Sequence, residues 1–408
     1  MVVAGEASGD LLAAELIQAL RLELGHTPLI VTSDAQPLYT SLEPRFFGAG
    51  GSRMAGAGVE LAFDMTTHAV IGLSDVLKQY SKFRSLFHQL FTLALNREPD
   101  VIIFVDFSGF NRRLAHAIKQ YSRTHADWFH NWNPKLIQYV SPQVWASREG
   151  RARQIARDYD LLLSLFPFEK KWYAERVPQL RVEFVGHPMV ERYGPPVPPS
   201  ARSRSAVPQP TLLLLPGSRA SELSRHLPVM FAAVSILRAT LNPLRVRMVL
   251  PSRSLLEQAT RTELPAGVEA QTGGLPDALA DADVAIASTG TVTLECAYFG
   301  LPTVALYKTS NFNYQIAKRI VTVKFLAMPN LLAGEEVFPE FIQDAATGEN
   351  IARASLELLR DPAKRSRISA RLGDIVASLG GPGASRRAAR AILGLMPECH
   401  RSLSRQCP

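Results

Sequence analysis

The segment Leu214-Leu215-Pro216-Gly217-Ser218-Arg219 sets a buried-type apolar run against a small-residue turn and then a helix-forming stretch. A strand that turns sharply into a helix aims free backbone N–H groups at whatever fills the turn, and those groups suit an anion. Gly217 permits close approach, Ser218 donates or caps, and Arg219 offers a planar fork to phosphate oxygens. The plainer alternative is an ordinary strand-to-helix turn with a surface arginine. A second loop, Ser288-Thr289-Gly290-Thr291, repeats the logic one crossover later, and Glu295 falls about one turn into the helix that follows. A carboxylate there can accept hydrogen bonds from both ribose hydroxyls of a nucleotide, or it can simply favour the helix dipole. Beside the first loop, the nucleotide reading is preferred.

A third loop, Ala4-Gly5-Glu6-Ala7-Ser8-Gly9-Asp10, follows the first apolar run without the GxGxxG spacing. Asp10 reads as an N-cap, and Ser8 with Gly9 suits a second anionic ligand in the opposite domain. An acidic loop repels pyrophosphate, so this loop is assigned to the acceptor side. Asp106 stands directly after the apolar run Val101 to Val105, at the sheet edge where catalytic groups of parallel folds gather. It is the leading general base for activating a hydroxyl, with partial burial raising its pKa; the plainer reading is a capping aspartate. His187, in Val185-Gly186-His187-Pro188, is the rival base, although a lone strand-end histidine is more often structural or a phosphate ligand. No spaced His, Cys or Asp cluster suggests a metal. The one DxD, Asp281 and Asp283, precedes a strand and so sits at the wrong edge for a donor-bound ion.

Chemistry of this kind needs strand ends to present it. Short apolar runs alternate with amphipathic stretches, the habit of a doubly wound α/β fold. Strands are expected at Met1 to Ala4, Val101 to Val105, Leu136 to Val140, Leu161 to Leu165 and Val182 to Val185, with helices at Leu11 to Leu24 and Asn111 to Tyr121. After a Pro-, Ser- and Arg-rich stretch the alternation restarts. Strands follow at Leu212 to Leu215, Val246 to Leu250, Val284 to Ala287 and Thr303 to Tyr307, with helices at Ser221 to Thr240 and Thr291 to Phe299. The expected division is a first domain over 1–195, a linker over 196–210, a second domain over 211–360 and a basic helical tail over 361–408. That tail is compatible with a closing helix that returns to the first domain. Met1 leaves room only for a brief first strand, unless the start lies upstream.

The 408 residues, 47% of them hydrophobic, support two cores. Three cysteines without a CxxC pair exclude a disulfide framework and favour a reducing compartment. A net charge of +8 favours an anionic partner: a nucleic acid, a phospholipid surface or a phosphorylated small molecule. No aromatic-basic RNA motif supports the first of these. No run reaches a membrane span and no secretion signal is visible, so the expectation is a cytoplasmic chain, soluble or lying on a membrane. The stretch from Ala69 to Leu93 mixes apolar and aromatic residues with Lys78, Lys82 and Arg84, which reads as an interfacial helix or as a core helix with a basic face.

Taken in order, these loops resemble the lipid-A-disaccharide synthase family. The matching segments are residues 4–10, Tyr139-Val140-Ser141-Pro142-Gln143-Val144-Trp145-Ala146, Phe166-Pro167-Phe168-Glu169, residues 185–188, residues 215–219, the second loop with Glu295, and Met328-Pro329-Asn330-Leu331-Leu332-Ala333-Gly334. The resemblance implies a GT-B fold of two facing Rossmann-like domains with a cleft between them. It implies transfer of diacylglucosamine from its UDP carrier to diacylglucosamine 1-phosphate, with inversion and a β-1,6 link, and without metal or other cofactor. It makes Asp106 the base. It places Gly217, Ser218, Arg219, Ser288, Thr289, Gly290, Thr291, Glu295 and Asn330 with the donor, and Glu6, Ser8, Gly9 and Ser141 with the acceptor. It also implies peripheral association with the cytoplasmic face of the inner membrane near Ala69 to Phe91, and a homodimer that exchanges C-terminal segments. Two positions depart from the family pattern: Gly109 stands where a second aspartate is usual, and Ser147 where a tryptophan is common. The rival readings are a UDP-sugar epimerase of the same fold and a non-catalytic UDP- or lipid-binding protein.

Overall fold

A computed structural model describes residues 1–25, 30–33, 36–39, 44–66, 80–194, 209–261 and 264–396. Two compact units divide the chain, one formed by Met1–Pro188 with Gly380–Pro408 and the other by Met189–Leu379.

In the first unit, β1 (Val2–Ala4) lies at the middle of a seven-stranded sheet. A small antiparallel hairpin, β2 (Ile30–Ser33) and β3 (Gln36–Tyr39), stands apart from that sheet. The sheet continues with β4 (Phe47–Gly50), β5 (Glu60–Asp64), β6 (Val101–Val105), β7 (Lys135–Tyr139), β8 (Leu161–Ser164) and β9 (Val182–Phe184), in the order β5-β4-β1-β6-β7-β8-β9. Every pairing in it is parallel. The central strands are buried along nearly their whole length and mostly apolar because helices cover both faces, with Gln138 and Ser164 the buried polar exceptions.

The second unit repeats the plan with β10 (Thr211–Leu215), β11 (Arg245–Leu250), β12 (Val268–Thr272), β13 (Val284–Ser288), β14 (Thr303–Tyr307) and β15 (Glu340–Ile342). They form a parallel sheet in the order β12-β11-β10-β13-β14-β15. Its core joins Leu212, Leu214, Val246, Met248 and Ile286 to Leu227, Met230, Val234 and Leu237 of the helix Ala220–Thr240.

Packing divides the chain after Pro188 and again after Leu379, whereas the sequence put a linker at 196–210 and a single tail from 361. The helix Met189–Tyr193 belongs to the second unit because the Tyr193 ring packs on Tyr298 and Phe299 at 5.7 and 5.2 Å. Most of the expected linker lies outside the described residues. The tail is shared between units: Pro362–Ser378 stays with the second, while Ala384–Leu393 packs on helix Ala7–Gly25 of the first. There Ala388, Ala389 and Ile392 join the core around Leu16 and Ile17, and Arg386 and Arg390 both pair with Glu23.

The stretch expected to face a membrane is described only from residue 80 onward. Within helix Tyr80–Arg97, Leu86, Leu90 and Ala94 are buried, and Phe83, Phe87 and Phe91 pack on Phe107, Phe110 and Tyr121 of the neighbouring segment. Lys82 and Arg84 lie on the exposed face. This part therefore follows the core-helix alternative, and residues 69–79 lie outside the described residues. Among the described residues no helix is long and apolar enough to cross a membrane.

Candidate active site

In an open parallel sheet the crevice forms where successive strands leave the centre in opposite directions, beyond their carboxyl ends. In the first unit that point is β1/β6, so the loop after β1 and Asp106 after β6 come together. Glycine makes the approach possible. A Cβ on Gly5 would strike the Phe107 ring, and one on Gly9 would stand 3.4 Å from the Val105 carbonyl and 3.7 Å from Asp106 Cβ. Glu6 is half-buried beside them and Ser8 is exposed.

The backbone at Asp106 is left-handed, with φ of 50°, and Phe107 follows at 42°. Such angles are costly for non-glycine residues and persist only where neighbours impose them. Two buried amides do so. Asn111 Nδ2 donates to the Asp106 carbonyl at 2.9 Å, Gln138 Nε2 donates to the same oxygen at 3.2 Å, and the Asp106 N–H is tied to the Tyr139 carbonyl at 2.9 Å. Burial raises the Asp106 pKa, and the Phe107 N–H draws it partly back.

Ser141 follows β7, the neighbour of β6, and its hydroxyl lies 3.3 Å from the Tyr173 hydroxyl in a buried network. Glu169 anchors the same region: it accepts Trp145 Nε1 at 2.9 Å and the Phe166 N–H at 3.2 Å, and burial pushes its pKa up to about 7. His187, the rival base, follows β9 and rests against Phe166 at 5.9 Å. Three strand spacings separate β9 from β6, roughly 14 Å, which leaves His187 remote from Asp106.

Asp10 does not cap its own helix. It lies inside Ala7–Gly25, and its buried carboxylate accepts the N–H groups of Gly51, Arg53 and Met54 at 2.7, 3.1 and 3.1 Å. It therefore caps the short helix Ser52–Gly56, a partner some forty residues away that local spacing could not reveal.

In the second unit the crevice falls at β10/β13, which brings the loop at Pro216 to Arg219 beside the loop at Ser288 to Thr291. Gly217 has φ of 122°, and a Cβ there would strike the Glu222 carboxylate. That carboxylate accepts the Ser218 N–H at 3.0 Å and lies 3.5 Å from the Arg219 guanidinium. An acidic group thus takes up the Ser218 N–H that the sequence reading offered to an anion. His226 braces the loop from behind: Nδ1–H donates to the Pro216 carbonyl at 2.7 Å while Nε2 accepts the Lys308 N–H at 3.0 Å. This holds one neutral tautomer, and burial lowers its pKa.

Gly290, with φ of 133°, opens the helix Thr291–Tyr298, and Thr293 Oγ1 donates to the Gly290 carbonyl at 2.7 Å. Ser288 is buried, Thr289 and Gly290 are half-buried, and Thr291 is exposed. Glu295 Oε1 accepts the Tyr193 hydroxyl at 2.7 Å; burial raises its pKa while Tyr193 and Arg192 draw it down. Asn330 is 0% exposed with both ends of its amide engaged. Nδ2 donates to the Phe338 carbonyl and Glu340, and Oδ1 accepts the Val337 and Phe338 N–H groups, at 2.7–2.8 Å. Asn330 therefore holds the segment Met328–Ala333 in place and keeps no valence for the donor, contrary to the expected contact. Asp283 accepts the Thr211 N–H at 2.8 Å and Asp281 pairs with Arg247 at 3.4 Å, both at the opening of the sheet. Among the described residues no group of three or more His, Cys, Asp or Glu is placed to hold a metal ion.

The family model for lipid-A-disaccharide synthetase matches residues 1–392. A lipid-A-disaccharide synthase from Trichlorobacter lovleyi is 36% identical over 406 residues, covering 98% of this chain and 97% of that one. The chain belongs to the lipid-A-disaccharide synthase family. Another relative of that name, from Myxococcus xanthus, is 36% identical with 97% of each chain covered. Among solved structures, the UDP-GlcNAc 2-epimerase from Neisseria meningitidis superposes with a TM-score of 0.57 at 10% identity, over 93% of this chain and 96% of that one. The calicheamicin glycosyltransferase does so with a TM-score of 0.56 at 17% identity, over 97% and 98%. At those identities the likeness shows the fold, which is GT-B. As a member of the family, the enzyme is a glycosyltransferase that forms the lipid A disaccharide.

For this synthase the sheets bring Gly9 to Asp106 in one unit and the two donor-type loops together in the other. Sequence reading missed Gln138, Tyr193, Glu222 and His226, and named Glu169 only within a family segment, without a role. Gln138, Glu169 and Tyr193 act through partners distant in sequence, Glu222 acts on the loop that opens its own helix, and His226 sits on an apolar helix face where histidine is usually mere packing.

Proposed function

We propose that the enzyme transfers 2,3-diacylglucosamine from its UDP carrier to the 6-hydroxyl of 2,3-diacylglucosamine 1-phosphate, with inversion, a β-1,6 link and release of UDP. The observation that carries this reading is Asp106, a half-buried carboxylate with a raised pKa, held left-handed at the switch point of the first unit. In this reading Asp106 takes the proton from the acceptor hydroxyl as that oxygen attacks the anomeric carbon, and the anomeric C–O bond to UDP breaks. Glu6, Ser8, Gly9 and Ser141 belong to the acceptor side in unit one. Gly217, Ser218, Arg219, Ser288 to Thr291 and Glu295 hold UDP in unit two, where guanidinium and helix N–H groups stabilise the charge arriving on the leaving phosphate. For UDP to enter, its phosphates displace the Glu222 carboxylate from the Ser218 N–H. The reading includes no cofactor. It includes peripheral binding at the cytoplasmic face of the inner membrane, supported by the exposed Lys82 and Arg84, and a homodimer, supported by the family resemblance.

The test is incubation of purified enzyme with both acylated substrates in detergent micelles with a chelator present, following UDP and disaccharide by mass spectrometry. Equal yields of UDP and disaccharide 1-phosphate support the reading. UDP binding without turnover, or interconversion of UDP-sugar epimers, overturns it.

A further inference from the structure

Four arginines gather on unit one, none of them in a direct ion pair among the described residues, with Asp158 the one carboxylate that acts on Arg112 from a distance. Arg112 and Arg113 follow Asn111 in the opening turns of helix Ser108–Thr124, and Arg148 and Arg151 surround the start of helix Arg151–Asp158. The two helices follow the adjacent strands β6 and β7 and pack on each other, so both begin at the sheet edge that carries Asp106. Arg113 and Arg148 are exposed, while Arg112 and Arg151 are half-buried.

The nearby carboxylates are committed elsewhere. Glu149 pairs with Arg176 at 2.6 Å, and buried Asp158 faces His116 at 3.1 Å and Arg157 at 3.4 Å. Among the described residues none of the four guanidiniums makes an ion pair, and Arg112 Nε is buried without an acceptor. The groups feel one another: burial first, with Arg113 and Arg148, holds the Arg112 pKa below its ordinary value against the opposing pull of Tyr159 and Asp158, and Arg151 is lowered by burial and by the other three. Arg148 is also held left-handed, with φ of 61°. Folding that crowds four cations and strains one of them is unfavourable unless an anion completes the group.

We propose that Arg112, Arg113, Arg148 and Arg151 seat the phosphate monoester of the acylated acceptor sugar, an inference that rests on the proposed function. Arg112 follows Asn111, whose side-chain amide holds the Asp106 carbonyl at 2.9 Å, so the cluster opens beside the proposed base at the same sheet edge. Guanidinium forks match phosphate oxygens in pairs, and the half-buried position of Arg112 suits a bound substrate group better than a passing lipid headgroup.

The experiment is calorimetric titration of the full chain with diacylglucosamine 1-phosphate and with diacylglucosamine, each in neutral detergent micelles. The comparison is wild type against the double variant Arg113→Gln/Arg148→Gln, both exposed positions, with Arg148→Lys as a charge-keeping control. Wild type is expected to favour the phosphorylated sugar by about tenfold or more. The double variant is expected to lose that preference and to raise the acceptor KM about tenfold, with the donor KM unmoved. A preference kept in the double variant, or absent from wild type, overturns the site. So does a double variant that loses only its binding to phosphatidylglycerol vesicles, which would assign the cluster to lipid headgroups. A wild type that shows the preference yet forms no disaccharide refutes the activity and leaves this site standing.

Discussion

The side-chain amide of Asn111 donates to the carbonyl of Asp106 at 2.9 Å and also reaches the Val105 carbonyl at 3.3 Å, and so holds the candidate base in a left-handed conformation. Replacement by leucine removes these bonds and leaves Gln138 alone on the Asp106 carbonyl, at a cost of about 0.5–1.5 kcal/mol per bond lost. The Asn111→Leu enzyme should unfold at lower urea and lose kcat more than it raises either KM. Denaturation curves together with steady-state kinetics check both, and a stable variant with unchanged kcat would refute the positioning role.

Asp106→Asn should lower kcat by about 10²–10⁴-fold without loss of fold. Because burial raises the Asp106 pKa, the wild-type acid limb should lie above the range of an ordinary carboxylate, with activity falling as pH drops through it. A pH–rate profile of both proteins is the measurement, and the same limb surviving in the variant would assign it to another group.

Tyr193 donates to Glu295 at 2.7 Å and holds the Glu295 pKa down against burial. In Tyr193→Phe that pKa rises, so the carboxylate protonates at higher pH and stops accepting ribose hydroxyls sooner. UDP titrations across pH 5–8 should show affinity falling at a higher pH in the variant than in wild type.

Buried Glu169 has a folded pKa of about 7 against 4.5 for the free group. A raised carboxyl pKa favours the protonated fold, so its contribution is present below 4.5 and is lost as pH climbs from 4.5 to about 7. The slope approaches about 1.4 kcal/mol per pH unit within that window. Glu169→Gln should flatten this slope in urea denaturation series, while placing an amide N–H against the Phe166 N–H at a cost of about 1–3 kcal/mol.

His226 behaves in the opposite sense. Its folded pKa lies below 6.5, so its contribution is complete above pH 6.5 and is lost as pH falls through the lowered folded value. His226→Phe leaves the Pro216 carbonyl and the Lys308 N–H unpaired, at about 1–3 kcal/mol each, and frees the phosphate-type loop. The donor KM should rise while the acceptor KM holds, as separate substrate titrations would show.

Apolar runs placed β6 at Val101–Val105 and β14 at Thr303–Tyr307, and the loops that follow strands placed Asp106, Gly217 and Gly290. Both depend on patterns a few residues long, because a fully buried parallel strand must be apolar on both faces and a tight turn must admit positive φ. Residues 4–334 carried enough ordered motifs to point to the family. Partnerships were decided only by the tertiary structure. Tyr193 and Glu295 are 102 residues apart, Lys308 and His226 are 82 apart, and the Asp10 carboxylate serves a helix 41 residues on. Such pairs meet because parallel strands carry distant loops to one sheet edge, and strand order is not written in local periodicity. For the same reason Asn330, which in sequence reads as a donor contact, turns inward: every hydrogen bond its amide makes is to the chain between Phe338 and Glu340 and the Val337 N–H beside it.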